Sequence, residues 1–337
     1  MIRQHLCRKI GRLILALAAL FTLLSAGAGQ GQAQEEVTYR LKWLFNVSVV
    51  GDLYAEAHGI FAENGLHVTV KPGGPERDAI KELELGRAQF GVASADQVIR
   101  AVAKGAPIVV LAQLFQANPL QWIYRPDKTA FKSPADLKGK TIGITYGGND
   151  ETILRALLAK HHIGPKEVNL FSVRYDFTPF YEGKVDFWPL YRNAQAPIIG
   201  AKLRKAGEPF RFLSPDEFGI RFVANSVITA RKMLAEHPAL VKRFMGALLR
   251  GWRDALDPRN REKAVQTLLQ FDRETPEEIV REQLPLTRSL MRPSPDFEFG
   301  KIDVAAWKQT EEIMRSQKLI PGRVRVEELL APVGAKE

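Results

Sequence analysis

Cysteine is almost absent: Cys7 is the only one in 337 residues. It lies in the opening basic segment, so the rest of the chain carries no thiol. That excludes a disulfide framework, zinc–thiolate sites, iron–sulfur clusters and a cysteine nucleophile downstream of it. Long apolar runs are scarce as well. The stretch Leu13 to Leu24 is apolar, but a bilayer-spanning helix needs ~20 such residues, and no later run is long enough. Catalytic signatures are missing too: there is no G-x-S-x-G, no H-E-x-x-H and no G-x-G-x-x-G. Gly139-Lys140-Thr141 is similar to the end of a P-loop, but Pro134 stands where that loop requires glycine, so it reads as a turn before a strand. His58, His67, His161, His162 and His237 are scattered without metal-ligand spacing. The basic residues are spread along helices and leave no local footprint for nucleic acid. Neither a cofactor nor a metal is called for.

What is present is the composition of an ordinary globular protein, 45% hydrophobic and 26% charged with 26 Gly and 20 Pro. At ~150 residues per domain the length suits two domains. The formal net charge of +10 is partly local. Arg3, Arg8, Lys9 and Arg12 precede the apolar run, and Ser25-Ala26-Gly27-Ala28-Gly29 follows it. A basic start, a short apolar run and small residues together predict a secretory signal peptide over residues 1–33. Ala26-Gly27-Ala28 and Gly31-Gln32-Ala33 both fit its cleavage. Cys7 precedes the apolar run and so cannot carry a lipoprotein anchor. The processed chain would bear a charge of +6, hold no cysteine and be exported to the periplasm.

Short apolar segments then alternate with helical patterns. Val37 to Lys42 reads as a strand, and a helix from Asp52 ends at Asn64-Gly65. Leu66 to Lys71 is a second strand, closed by Pro72-Gly73-Gly74-Pro75. A helix ending at Leu85 leads to a strand over Gln89 to Ala93. A helix through Val98 and Val102 leads to a buried strand over Pro107 to Phe115. The rhythm restarts with Lys140 to Thr145, a helix beginning at Asn149, and strands over Val168 to Val173, Val185 to Trp188 and Phe222 to Thr229. From Arg231 onward the pattern is mainly helical, with Trp252 and Trp307 on apolar faces. Strands spaced by 10–15-residue helices predict an α/β fold with a mostly parallel sheet.

Ligands of open α/β sheets sit beyond the carboxyl ends of the strands. There the chain offers Trp43 and Asn46, then Ser94 and Gln97, then Gln116 and Asn118. Its second half adds Tyr146-Gly147-Gly148-Asn149-Asp150-Glu151, and Trp188 with Tyr191 and Asn193. Flat aromatics with neutral hydrogen-bonding groups suit a small planar heterocycle better than a sugar phosphate.

At these places the sequence resembles a known family. Leu41-Lys42-Trp43-Leu44-Phe45-Asn46 is similar to the L-x-W-x-x-N opening of the thiamine-pyrimidine-synthase-like periplasmic binding proteins. Gly59-Ile60-Phe61-Ala62-Glu63-Asn64-Gly65-Leu66 resembles their G-x-F-x-x-x-G-L segment. Gly86-Arg87-Ala88-Gln89-Phe90-Gly91-Val92 and Ser133-Pro134-Ala135-Asp136-Leu137-Lys138-Gly139-Lys140 continue the likeness, which spans residues 38–255. These motifs mark the wider nitrate, sulfonate and thiamine-precursor superfamily more than any one ligand. The resemblance implies a two-lobed clamshell with two hinge crossovers. One lobe would be discontinuous, residues 34–122 plus 227–337, and the other would be residues 123–226. Trp122 to Arg125 and Ala224 to Val227 would be the hinges. It also implies a monomer that delivers a small-molecule ligand to an ABC transporter permease.

The ligand expected from the residues is a nitrogen heterocycle. Asn149 is placed to N-cap the helix after Gly147-Gly148. A bare helix N-terminus attracts anions, but Asp150 and Glu151 occupy this first turn and would repel them. Glu151, pointed into the cleft, would pair with the ring nitrogen and exocyclic amine of an aminopyrimidine. Trp43 would stack on the ring. Trp188, Tyr191, Asn193, Asn46, Gln116, Asn118 and Tyr146 complete the expected site. The expected function is therefore capture of a thiamine pyrimidine precursor or similar heterocycle for import. The alternatives are the same module with a sulfonate, nitrate, riboflavin-like or aromatic ligand, and, further off, an exported enzyme. Two departures from the family pattern stand out. Where the first loop of precursor binders often reads N-x-x-H-x-G, this chain keeps Asn46 and Gly51 but has Val49 at the His position. It also lacks the Cys-rich motif and active-site His of the yeast-type pyrimidine synthases.

Overall fold

The computed structural model describes residues 34–74, 76–174, 176–292, 294 and 297–333. The expected signal peptide, with Cys7, lies outside the described residues. Strands and helices follow in the order β1 (Glu35–Arg40), α1 (Val50–Ala57), α2 (Ile60–Glu63), β2 (Leu66–Lys71), α3 (Ala79–Glu84), β3 (Phe90–Ala93), α4 (Ala95–Val102), β4 (Ile108–Gln113) and β5 (Leu120–Tyr124). Then come β6 (Thr141–Ile144), α5 (Asn149–Lys160), β7 (Asn169–Ser172), α6 (Thr178–Tyr181), β8 (Trp188–Tyr191), α7 (Gln195–Lys205), β9 (Arg211–Leu213) and β10 (Ser226–Ala230). A helical tail of α8 (Arg231–Glu236), α9 (Pro238–Ala255), α10 (Arg261–Phe271), α11 (Glu277–Met291) and α12 (Val304–Ser316) completes the chain. Among the described residues no helix is long and apolar enough to cross a membrane.

The strands form one five-stranded sheet, β2-β1-β3-β10-β4, a three-stranded sheet, β8-β5-β9, and a parallel pair, β6-β7. Gly143 N–H donates to Phe187 O at 2.8 Å, and Ile142 bridges Phe187, which joins the pair to the residue just ahead of β8. Alternation explains β2: Leu66, Val68 and Val70 are buried and His67 and Thr69 exposed, the signature of a strand with one face to the core. All six residues of β4 are buried. Its outer edge is covered by the C-terminal segment, where Val110 N–H donates to Leu329 O (2.8 Å) and Ala331 N–H to Val110 O (2.9 Å).

The expected mostly parallel sheet is corrected to a mixed one. β10 enters between β3 and β4 and runs antiparallel to both. It comes from a segment that has left the first sheet and returned, and such a return is not coded in local periodicity. The first long helix is split as well. Gly59 adopts φ +71°, a left-handed conformation that glycine takes at no steric cost, and it separates α1 from α2.

The chain leaves the first sheet between Gln113 and Leu120 and returns between Leu213 and Ser226. The two passages are tied together: Leu114 N–H donates to Asn225 O at 2.9 Å, and Asn118 Nδ2 donates to Phe222 O at 2.9 Å. Around the first sheet, Tyr39, Phe61 and Phe90 pack on Phe244 of α9. Trp252 and Trp307, read as apolar-face residues, are both fully buried. The second sheet has its own core of Ile123, Phe180, Trp188, Leu190, Ile199 and Leu203.

Candidate functional site

Three loops at strand ends meet at Lys42. The residue follows β1, with Leu41 beside it fully buried and Lys42 turned to the opposite, partly open side. Its Nζ donates to the Tyr191 hydroxyl at 2.9 Å and to Asn149 Oδ1 at 3.3 Å. Tyr191 ends β8 and Asn149 begins α5, so one side chain from the first sheet reaches two residues of the second. No ion pair involves Lys42 among the described residues. Two further ties join the same halves: Arg100 Nη2 of α4 donates to Thr152 Oγ1 of α5 at 2.6 Å, and Arg174 faces Glu76 at 3.6 Å with both side chains largely exposed.

Asn149 is not the cap that the sequence suggested. Gly148 occupies the N-cap position, with extended backbone, and Asn149 is the first helical residue. Its side chain, freed from capping, is 7% exposed and turns to Lys42, while its Nδ2 has no partner. The acids of this turn are engaged locally. Asp150 Oδ2 accepts the Thr145 N–H at 2.6 Å, and burial pushes its carboxyl up to about 6 against that hydrogen bond. Glu151 Oε2 accepts the Gly147 N–H at 2.8 Å, and its Oε1 receives Arg155 Nε and Nη2 at 2.9 and 2.7 Å. The free carboxylate expected for an aminopyrimidine is thus replaced by one held between its own loop and an arginine one turn on. Tyr146, beside it, is 58% exposed.

The structure brings together Tyr191 and Asn149 through Lys42, and it disperses the others. Trp43 is partly buried, and its carbonyl accepts the Gly73 N–H at 2.8 Å. Asn46 closes its own turn: Oδ1 accepts from Ser48 N–H at 2.8 Å and Nδ2 donates to Leu44 O at 3.0 Å, the Asx geometry that competes with ligand contact at such residues. Gln116 donates to Gln113 O and Lys301 O, both at 3.0 Å, and Asn118 spans the two passages between sheets, accepting the Leu120 N–H at 2.9 Å. Asn193 is fully buried and donates to Ser48 Oγ and Thr287 Oγ1, each at 3.0 Å. Ser94 and Gln97 form a capping box on α4.

Trp188 is the clearest correction. It is 1% exposed and packs among Phe177 and Phe180 in the core of the second sheet. Strand alternation is the cause: Trp188 and Leu190 share the buried face and Pro189 and Tyr191 the other.

Sequence reasoning missed Lys42, although the residue sat inside the quoted L-x-W segment. A cavity of about 440 Å³ lies elsewhere, lined by Leu111, Phe299, Ile302, Leu330 and Pro332 among others, and none of the expected site residues reaches it.

Comparison with known proteins bears on the fold and the family. A riboflavin-binding protein of Chloroflexus aurantiacus is 26% identical over 305 residues, 87% of this chain and 84% of that protein. A formylaminopyrimidine-binding protein of Halalkalibacterium halodurans is 25% identical over 308 residues, 89% of this chain and 91% of that protein. Among solved structures, the alkanesulfonate-binding protein of Xanthomonas axonopodis pv. citri bound to MOPS superimposes with a TM-score of 0.66 at 22% identity, covering 89% of this chain and 98% of that one. The fold is accordingly the two-lobed α/β architecture of periplasmic binding proteins. The NMT1/THI5 like family model matches residues 46–261, and the chain belongs to that family.

Proposed function

We propose that the chain is the periplasmic solute-binding component of an ABC importer, and not an enzyme, and that it closes two lobes over a small flat nitrogen heterocycle. In this reading residues 34–122 with 227–337 form one lobe and residues 123–226 the other. The observation that carries it is the contact of Lys42, which follows β1, with Asn149 and Tyr191 from the other half, beside the partly buried Trp43 next in the chain. An aromatic face and convergent polar groups drawn from two halves are what a hinge-closing binder offers its ligand. The relatives named for riboflavin and formylaminopyrimidine support a flat heterocycle. Closure would then present both lobes to a permease after export by the segment 1–33.

Binding would be non-covalent, from stacking on Trp43 and a few hydrogen bonds of partly buried groups. Asn193 and Asn118 act in this scheme as positioning residues for the loops that carry the contacts, through Ser48 and Phe222 O respectively. Thermal melting against aminopyrimidines, riboflavin, thiamine, nitrate and taurine tests the reading. Ligand at 100 times its Kd adds about 2.7 kcal/mol of stability, a visible shift. Shifts confined to flat heterocycles support the proposal, and a panel in which none of them shifts the transition overturns it.

A further inference from the structure

Resting on that reading, we propose that Lys42, Tyr191 and Asn149 form a subsite for an anionic oxygen group (a carboxylate, sulfonate or phosphate) carried by the ligand. Lys42 is a cation whose polar partners among the described residues are both neutral, the Tyr191 hydroxyl and Asn149 Oδ1. An ammonium has three N–H donors, and these two contacts leave one over. The Tyr191 hydroxyl accepts from Lys42 and keeps its own proton to donate. Asn149 Nδ2 is buried without a partner, on the same amide whose oxygen touches Lys42. Three donors to spare therefore sit in one cluster, and no carboxylate among the described residues pairs with the partly buried positive charge there. Buried donors and charges are costly when unpaired, and an anionic acceptor satisfies both at once with charge-assisted hydrogen bonds.

The acids nearby do not supply that balance. Glu151 is paired with Arg155 and clamps Gly147, and Asp150 is turned to the Thr145 N–H. The site also stands at the first residue of α5, a helix of 12 residues, whose N-terminal dipole favours negative charge. Because Lys42 comes from one half and Tyr191 and Asn149 from the other, the anionic group would bridge both and would itself favour closure. The ligand class this selects is a flat ring bearing an acidic substituent.

The experiment is titration calorimetry of the purified protein with matched pairs, pyrimidine-5-carboxylate against its carboxamide and benzenesulfonate against its sulfonamide, with taurine as the anion without a ring. The acids are expected to bind about tenfold or more tighter than their neutral partners, the scale of a hydrogen bond to a charged group. Lys42→Met should erase that preference, weakening the acids at least about tenfold more than the neutral members, and Lys42→Arg should keep most of it. If Lys42→Met does not fold, Tyr191→Phe carries the test, because it removes one O–H donor and should weaken the acids by about threefold or more relative to their neutral partners. Equal binding of acid and amide, or a preference that survives Lys42→Met, overturns the subsite and leaves the heterocycle reading standing. Lysine-dependent binding of taurine with no ring compound bound leaves the subsite and overturns the heterocycle. No binding by any member overturns both.

Discussion

Arg155 closes on Glu151 one helical turn away, its Nη2 2.7 Å and its Nε 2.9 Å from the same carboxylate oxygen. The other oxygen holds the Gly147 N–H. Glu151 therefore works as a clamp between the β6–α5 loop and the first turns of the helix. An i,i+4 ion pair contributes ~0.3–0.5 kcal/mol and the hydrogen bond to the loop roughly 1 kcal/mol. Glu151→Gln should lower stability by about 1 kcal/mol, read in urea denaturation, and change affinity for neutral heterocycles less than Lys42→Met changes affinity for acids. A large loss of affinity with an unchanged unfolding midpoint would instead make Glu151 a direct ligand contact.

Two tryptophans expected in one site have different surroundings in the structure, and single substitutions separate them. Trp188 is buried with Phe177, Phe180 and Leu190, so Trp188→Ala should cost about 3–5 kcal/mol, as truncation of a large core aromatic does. Trp43 is partly buried at the loop that carries Lys42. Trp43→Ala should leave the unfolding midpoint much closer to wild type and weaken a flat ligand by about 1 kcal/mol or more. Paired melting and titration curves decide it, and the assignment fails if Trp43→Ala is the more destabilising of the two.

Burial gives the fold an unusual response to pH. Asp52 is fully buried, accepts hydrogen bonds from the Tyr39 hydroxyl (2.9 Å) and Trp252 Nε1 (3.1 Å), and has its carboxyl pushed up to about 7 by burial against those bonds. Asp150 shifts the same way, to about 6. Both folded values lie above the unfolded value of ~4, so between pH ~4 and ~7 the folded state holds protons that the unfolded state has released. Stability from these groups therefore falls as pH rises through that window and levels off above it. Asp257, held down to about 2 by Arg259, acts oppositely, its contribution being lost as pH falls below ~4. Asp52→Asn keeps an acceptor for Tyr39 and Trp252 and should flatten the decline between pH 4.5 and 7.5 by on the order of 2 kcal/mol. Parallel curves for variant and wild type would dismiss the assignment.

Which parts of this were legible follows from the range of the interactions. Leu66 to Lys71, the α3 helix ahead of Gly86 and the apolar faces of Trp252 and Trp307 rest on local periodicity, and the structure has them. Trp188 was misread by register. The strand expected to end there begins there, and a shift of a few residues changes which side chains stand at its ligand-facing end. The antiparallel insertion of β10 depends on a segment returning after more than a hundred residues, which no local pattern encodes. Lys42 was invisible for the same reason. Its partners lie 107 and 149 positions away, and a lysine at a strand end reads as solvated until the opposite half of the protein is placed against it.

Gly51, the glycine of the first loop segment, is explained by contact between helices. A Cβ added there would lie 2.1 Å from Trp252 Cδ2, and one added at Gly251 would lie 2.5 Å from Ala55 Cβ. So α1 and α9 touch nearly backbone to backbone, with the Trp252 indole laid over Gly51 and its Nε1 on Asp52. Gly→Ala inside a helix ordinarily gains up to ~1 kcal/mol of propensity. Here the ring cannot give way, because it is fully buried and tethered at Nε1, and overpacking of this kind costs about 1–3 kcal/mol or more. Gly51→Ala should therefore lower the urea midpoint with the slope unchanged. Gly246 on α9 has nothing within 4 Å of its added Cβ, so Gly246→Ala should raise the midpoint. If both variants moved the midpoint upward, close approach of the two helices would not be the reason for glycine at position 51.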